Sequence, residues 1–180
     1  MTDSLSMLRD ETARLRASLI DQMAYLIDEL EAQKPLMDRL PAWAFEGRPF
    51  AGTWTIKEMY GLLAAADERV FLPQVKQMVA GTGPKLEPPD HEALWSMEPW
   101  AEATVSDLLT RLQSARTQLV ALLSDLPASS WVLSGQFGET QRDLYTHVHA
   151  IIQHDADCLR DVGQRLHESD LTQRQTDLPE

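Results

Sequence analysis

The stretch GTWTIKEMYGLLAAADERVF, residues 52–71, gives a sharp signal for the start of a helix. Thr55 followed three residues later by Glu58 is a capping-box pattern, in which each side chain accepts a hydrogen bond from a free N–H of a helix start. Apolar residues then recur every three or four positions, which is the spacing of one helix face: Ile56, Met59, Tyr60, Leu63, Ala66 and Val70. The stretch therefore predicts an amphipathic helix that begins after Thr55, and Pro73 predicts a kink or a break near Leu72.

Three more segments carry the same helical spacing of apolar side chains. They run from Asp3 to Lys34, from Ala103 to Asp125 and from Thr140 to Glu168. Four long amphipathic helices, without an alternating strand pattern, can bury their apolar faces only against one another. The sequence therefore predicts an all-α protein built as a four-helix bundle.

The segments between these helices are rich in proline and glycine, which interrupt helices. Residues 81–100 hold four prolines and two glycines, and DHEALW (90–95) within them predicts a short helix. Residues 127–139, PASSWVLSGQFGE, predict a turn-rich loop. We expect a single bundle domain over residues 1–168 and a flexible C-terminal tail over residues 169–180, where apolar residues are few.

The composition is acidic, with 16 Lys and Arg against 28 Asp and Glu and a net charge of -12. Nucleic acids and anionic membrane surfaces attract basic proteins, so we expect neither as a partner. A single cysteine excludes an intrachain disulfide and fits a reducing compartment. No window reaches the roughly 18 apolar residues of a membrane helix, and charges occupy the place of a signal peptide's apolar run. These features predict a cytoplasmic protein.

His154 and Cys158 are the candidate metal ligands in HVHAIIQHDADCLRD, residues 147–161. Four residues apart on a helix, they project from one face about 6 Å apart, which suits two ligands of one zinc ion. A catalytic zinc site normally has three protein ligands, so the pair alone predicts half a site. The alternative interpretation is a buried free cysteine beside a partly exposed histidine.

The other histidines and the inward carboxylates are interpreted as structural. His147 precedes His154 by two helical turns, too far to share its metal, and His91 lies in the long loop, from which it could reach a cavity. Asp155 and Asp67 fall near the apolar faces of their helices. Because a buried carboxylate needs a partner, we expect a helix terminus, an arginine or the neighbouring helix to pair with each of them.

Residues 52–71 and 147–162 resemble the two signature stretches of the DinB/YfiT-like family, and residues 94–131 resemble the family's third-helix region. The resemblance implies a four-helix bundle of up-down-down-up topology, often a homodimer. It also implies a divalent metal held by three histidines, one from the second helix and two from the fourth. Characterised relatives include transferases and isomerases that use mycothiol or bacillithiol.

Carried over to this sequence, the family's three ligand positions fall on Leu62, His154 and Cys158. Leu62 cannot bind a metal, so the triad implied by the resemblance is degraded. Glu58 and Asp67 lie about one turn from Leu62, but Glu58 is needed by the capping box and Asp67 is expected to have a structural partner. The metal ligands implied by the resemblance are therefore His154 and Cys158 alone.

Three hypotheses for function follow, and no residue of the sequence is assigned a catalytic role. The preferred one is a diverged DinB-like protein that binds a small molecule or partner in the bundle cavity, without the standard metal and with no cofactor. The second is a metal-dependent thiol S-transferase or isomerase, in which His154, Cys158 and a third ligand hold zinc or nickel. The third is a dimerising structural protein.

Overall fold

The computed structural model describes residues 2–37, 39, 41–48, 54–97 and 102–176. In chain order its helices are α1 (Thr2–Met37), α2 (Ala42–Glu46), α3 (Ile56–Ala66), α4 (Leu72–Val79), α5 (His91–Ser96), α6 (Val105–Ser124) and α7 (Leu144–Thr176). A π-helical turn, Asp67–Phe71, joins α3 to α4, and a 3-10 turn, Ala128–Val132, follows α6. Three short strands are β1 (Lys85–Leu86), β2 (Ser134–Phe137) and β3 (Thr140–Asp143).

The helices α1, α3, α6 and α7 form the predicted four-helix bundle. α1 packs mainly against α6 and also against α7, and α3 packs against the same two helices. α1 and α3 therefore lie across the core from each other although they follow one another in the bundle. Each helix contributes fully buried side chains, for example Leu30, Leu63, Leu112 and Ile151. None of the described helices is long and apolar enough to cross a membrane.

α3 begins where the capping box predicts. The Thr55 hydroxyl accepts a hydrogen bond from the Glu58 backbone N–H at 3.1 Å, and the Glu58 carboxylate accepts one from the Thr55 N–H at 2.8 Å. The Glu58 carboxylate also pairs with Arg48 and accepts a hydrogen bond from the Trp95 indole N–H at 3.2 Å. Glu58 is thus occupied by the start of α3 and by α5.

Replacing Thr55 by Ala is expected to lower the free energy of unfolding by about 1 kcal/mol, because the Glu58 N–H loses its acceptor. Urea unfolding followed by circular dichroism measures this change. Thr117→Ala, at an exposed position of α6, is the matched control and should change stability by less than about 0.5 kcal/mol. Equal effects of the two substitutions would contradict the capping role.

Between α3 and α4 the chain forms a π-helical turn at the position where the sequence predicts a kink. The Leu72 backbone N–H donates to the Asp67 carbonyl, five residues earlier instead of four. Pro73 follows directly, and in a regular helix its ring collides with the carbonyl four residues before it. The wider turn relieves that clash. Asp67 in this turn contacts α6, and Phe71 contacts α7.

Residues 127–139 are not the loop that the sequence predicts, because they include the 3-10 turn and β2. β2 pairs in parallel with β1 and antiparallel with β3. Strands of two to four residues are too short to show an alternating apolar pattern, which is why the sequence pattern did not indicate them. Gly138 has φ +57° in the tight turn between β2 and β3, a conformation that favours glycine.

Both ends of α7 differ from the sequence prediction, and one short helix agrees with it. α7 begins at Leu144 because residues 140–143 form β3, and it runs to Thr176, past the predicted end at Glu168. The flexible tail stays a prediction, and residues 177–180 lie outside the described part of the chain. The short helix predicted over residues 90–95 is confirmed as α5.

Candidate metal centre

α5 is capped at its start by Asp90 and packs against the bundle through its two large apolar side chains. The Asp90 carboxylate accepts a hydrogen bond from the Ala93 N–H at 3.0 Å and so caps the helix. Leu94 is buried, and the Trp95 ring lies 5.9 Å from the ring of Trp54, next to the start of α3. These contacts place His91, the first residue of α5, against α7.

His91, His154 and Cys158 come together and form what we call the His–His–Cys cluster. The two Nε2 atoms of His91 and His154 are 3.2 Å apart, and Cys158 Sγ lies 3.8 Å from His154 Nε2. All three ligand atoms lie within 4.8 Å of one another. With bonds of about 2.05 Å to nitrogen and about 2.3 Å to sulfur, a tetrahedral zinc separates two nitrogens by about 3.3 Å and nitrogen from sulfur by about 3.6 Å. The His91–His154 and His154–Cys158 distances are close to that spacing.

The His154 ring is held from several sides. Phe71 packs edge-to-face on it with ring centroids 5.2 Å apart. Its Nδ1 atom is buried without a hydrogen-bond partner and lies 3.6 Å from Asp155 Oδ1. Burial opposes a charge on His154, but Asp155 and Cys158 outweigh it and raise the pKa of His154 to about 9. Burial and the charge of His154 lower the pKa of His91.

A buried ion network lies behind His154. Arg116 on α6 donates two hydrogen bonds to the Asp67 carboxylate, at 2.8 and 2.9 Å, and lies 2.7 Å from Asp155 Oδ2. The side chains of Arg116 and Asp67 are 0% and 1% exposed. Burial raises the pKa of Asp67, although the guanidinium of Arg116 opposes this. The predicted need of Asp67 and Asp155 for a partner is confirmed, and one arginine satisfies both.

His154 of the cluster borders a cavity of ≈ 170 Å³ between α7, the π-helical turn and the small sheet. His154 lies at its wall, together with the apolar side chains of Phe71, Phe137 and Ile151. Arg142 and His147 supply polar groups to the same cavity. The His–His–Cys cluster thus adjoins the cavity through His154.

His147 is predicted to make folding stability depend on pH. Its ring is buried with neither nitrogen hydrogen-bonded, and burial, helped by the charge of Arg142, lowers its pKa from 6.5 to about 4. In the unfolded chain His147 takes up a proton below about pH 6.5, whereas in the folded chain it stays neutral until the pH falls to about 4. Its contribution to stability is therefore full above pH 6.5 and is lost as the pH falls toward 4.

The measurement compares the wild type with His147→Phe, which keeps an aromatic ring and cannot titrate. Between pH 7 and pH 4.5 the wild type should lose about 2 kcal/mol more of its free energy of unfolding than the variant does, measured in urea at each pH. Parallel pH profiles of the two proteins would show that His147 does not cause the loss.

The structure brings two residues of the predicted triad together. Leu62 is 3% exposed and belongs to the apolar core, whereas His154 and Cys158 are together as the helical spacing predicts. The third group beside them is His91, for which the sequence favoured a structural role. Glu58 is bound by the cap of α3 and by Arg48, so it has no free role at the cluster.

His91 could have been singled out by one feature of the sequence. It begins a predicted helix inside a long connection, and long connections in compact domains are commonly functional. The spacing of residues along the chain does not show onto which helix such a connection folds, so the pairing of His91 with His154 needed the structure.

The bundle of α1, α3, α6 and α7, with candidate ligands on the fourth helix, has the DinB/YfiT-like fold that the sequence resemblance implied. A solved structure with this fold is YfiT from Bacillus subtilis, described as "a probable metal-dependent hydrolase with an unusual four-helix bundle topology". It matches with a TM-score of 0.67 and 16% sequence identity, over 89% of this chain and 87% of that one. At this identity the likeness establishes the fold alone. No family model and no curated protein matches the sequence.

Proposed function

We propose that the protein is a metal-dependent hydrolase that binds zinc through His91, His154 and Cys158. The observation that carries the proposal is the convergence of three ligand atoms within 4.8 Å of one another, beside a cavity that His154 lines. The description of YfiT as a metal-dependent hydrolase supports the same class of reaction.

The chemistry of the donor atoms fits zinc. Two imidazole nitrogens and one cysteine sulfur are ligands that zinc prefers, whereas magnesium and calcium require oxygen ligands. Three protein ligands leave one coordination position open, which distinguishes catalytic from structural zinc sites. Zinc in such a site acts as a Lewis acid and supplies an activated water for hydrolysis.

The neighbouring residues orient the ligands. A histidine that binds a metal does so through one ring nitrogen, and its other ring nitrogen donates a hydrogen bond to a nearby acceptor. Asp155 Oδ1 is 3.6 Å from Nδ1 of His154, so it favours a proton on Nδ1 and leaves Nε2 to face His91 and Cys158. Phe71 packs edge-to-face against the same ring and also limits its orientation.

His91 removes the main reason for preferring a metal-free protein. That hypothesis depended on Leu62, because the second helix offers no ligand at the family's position. A histidine from α5 instead of α3 completes a set of three. The thiol-transferase hypothesis uses the same ligands, and the present proposal differs from it in the co-substrate, which is water.

The proposal is tested on protein purified without a histidine tag. We expect one zinc per chain by metal analysis, and substitution by cobalt should give the intense absorption of a cobalt–thiolate bond, which Cys158→Ser should abolish. Zinc-loaded protein should hydrolyse simple ester and amide substrates, and this activity should be lost with chelator and in Cys158→Ser.

His149→Ala is the matched control, because His149 is exposed and lies on the same helix. It should keep both the zinc and the cobalt spectrum. Zinc content well below one per chain in the wild type, or equal loss in His149→Ala and Cys158→Ser, would contradict the assigned ligands. Thiol transfer without hydrolysis in the zinc-loaded protein would favour the transferase.

A further inference from the structure

We propose that the cavity beside the His–His–Cys cluster is a binding site for a small organic carboxylate with an apolar body, and that Arg142 and His147 recognise its carboxylate. The binding of a carboxylate follows from the residues that line the cavity. Only the class of substrate inferred from it rests on the proposed hydrolase function.

The size and walls of the cavity suit an apolar molecule. A single water needs about 10–15 Å³ of such space, so ≈ 170 Å³ exceeds the need of one water more than tenfold. Phe71, Phe137 and Ile151 form its apolar walls. A site with mostly apolar walls and a few polar groups is the usual form of a small-molecule pocket.

Arg142 gives the cavity a positive charge. Its guanidinium lies over the Phe137 ring, 3.5 Å from the ring centroid, which fixes the side chain at the cavity wall. Within the described part of the chain no carboxylate forms an ion pair with Arg142. Glu87 also lines the cavity, but it pairs with Lys85 at 2.5 Å. A cation kept at the wall of a protein of net charge -12 indicates a negatively charged ligand.

His147 is the second polar group, and it is unusual because it lacks partners. It is 3% exposed, and neither of its ring nitrogens is hydrogen-bonded by a described residue. Buried polar groups in proteins are nearly always hydrogen-bonded, so an unpartnered ring at a cavity wall points to a ligand. A neutral imidazole has one N–H, which can donate a hydrogen bond to a carboxylate oxygen. The guanidinium of Arg142 can pair with the same carboxylate.

The position of these groups defines the substrate class of the proposed hydrolase. His147 and His154 lie two helical turns apart on α7, about 10 Å along the helix axis, and both line the cavity. A molecule whose carboxylate is held at Arg142 and His147 therefore extends toward the His–His–Cys cluster. The substrate would be an ester or amide that carries a free carboxylate several bonds from the bond to be hydrolysed.

The test compares 3-phenylpropanoate with its uncharged analogue 3-phenylpropanamide, by isothermal titration calorimetry on zinc-free and on zinc-loaded full-length protein. We expect the carboxylate to bind at least about 10-fold more tightly than the amide to both forms. Arg142→Gln should remove this preference, whereas Arg142→Lys should keep part of it. Arg160→Gln is the matched control, since it makes the same change in net charge at an exposed site of α7.

Equal affinities for the two probes in the wild type would overturn the proposal, and so would a preference that persists in Arg142→Gln. A preference that requires zinc and persists in Arg142→Gln assigns the anion to the metal and overturns the site as well. Circular dichroism of Arg142→Gln and Arg142→Lys verifies that each variant folds. The comparison is also made on zinc-free protein. If the protein does not bind zinc, the proposed function is refuted, but the preference for the carboxylate over the amide can still be measured.

Discussion

Arg116→Met is expected to destabilise the protein by about 3–5 kcal/mol. The guanidinium of Arg116 is fully buried and lies between the carboxylates of Asp67 and Asp155. Methionine fills much of the same volume but leaves two buried carboxylates without a counter-charge. They must then take up protons or draw water into the core, and either change costs free energy. Urea unfolding at pH 7 measures the loss.

The matched control is Arg111→Met, because Arg111 lies on the same helix and also pairs with a carboxylate of the π-helical turn. Its contact to Glu68 is at 2.6 Å, with side chains 27% and 32% exposed. Water screens such a pair, so we expect a loss of no more than about 1 kcal/mol. Similar losses in the two variants would contradict the view that burial determines the effect.

A triple variant separates the cost of unpaired charge from the loss of packing. Arg116→Met combined with Asp67→Leu and Asp155→Leu removes all three charges and should recover most of the lost stability, as apolar replacements of buried ion networks often do. The same variant should bind zinc more weakly than the wild type, because Asp155 no longer faces the ring of His154. If the triple variant is no more stable than Arg116→Met, packing and not charge explains the loss.

The parts of the fold that the sequence predicted are those with local signals. The start of α3 follows from Thr55 and Glu58, which are three residues apart and contact each other. Helical spacing likewise predicted that His154 and Cys158 share a face of α7. Each of these features depends on neighbouring residues of one helix, so its geometry follows from the chain alone.

The parts that the sequence did not predict depend on long-range contacts. β1 pairs with β2 across about fifty residues, and neither strand is long enough to show a pattern. Arg116 lies 49 residues from Asp67, and the sequence indicated only that this carboxylate needed some partner. His91 lies 63 residues from His154. A loop that folds back onto a helix shows no periodic sequence pattern, so the sequence did not place His91 near His154. Without His91, the leucine at position 62 suggested that the third metal ligand was missing.

His91→Ala is expected to weaken zinc binding at least about 100-fold, because it leaves only the i, i+4 pair of His154 and Cys158. Residues that merely orient a ligand already contribute about 10–100-fold to metal affinity, and His91 is assigned as a ligand itself. Competition with a chromophoric zinc chelator measures the affinity. The variant should keep the stability of the wild type in the zinc-free state, since His91 is on a short helix outside the bundle core.

Leu62→Ala is the informative comparison for His91→Ala. It alters the position where the family resemblance places the second-helix ligand, and it should lower stability by about 2–5 kcal/mol by opening a cavity in the core. It should leave the zinc affinity of the remaining folded protein close to that of the wild type. If zinc affinity falls in Leu62→Ala and not in His91→Ala, the metal lies toward α3 and the assignment to α5 is wrong. If zinc affinity falls in His91→Ala alone, the third ligand comes from the connecting helix α5 and not from the bundle helix α3.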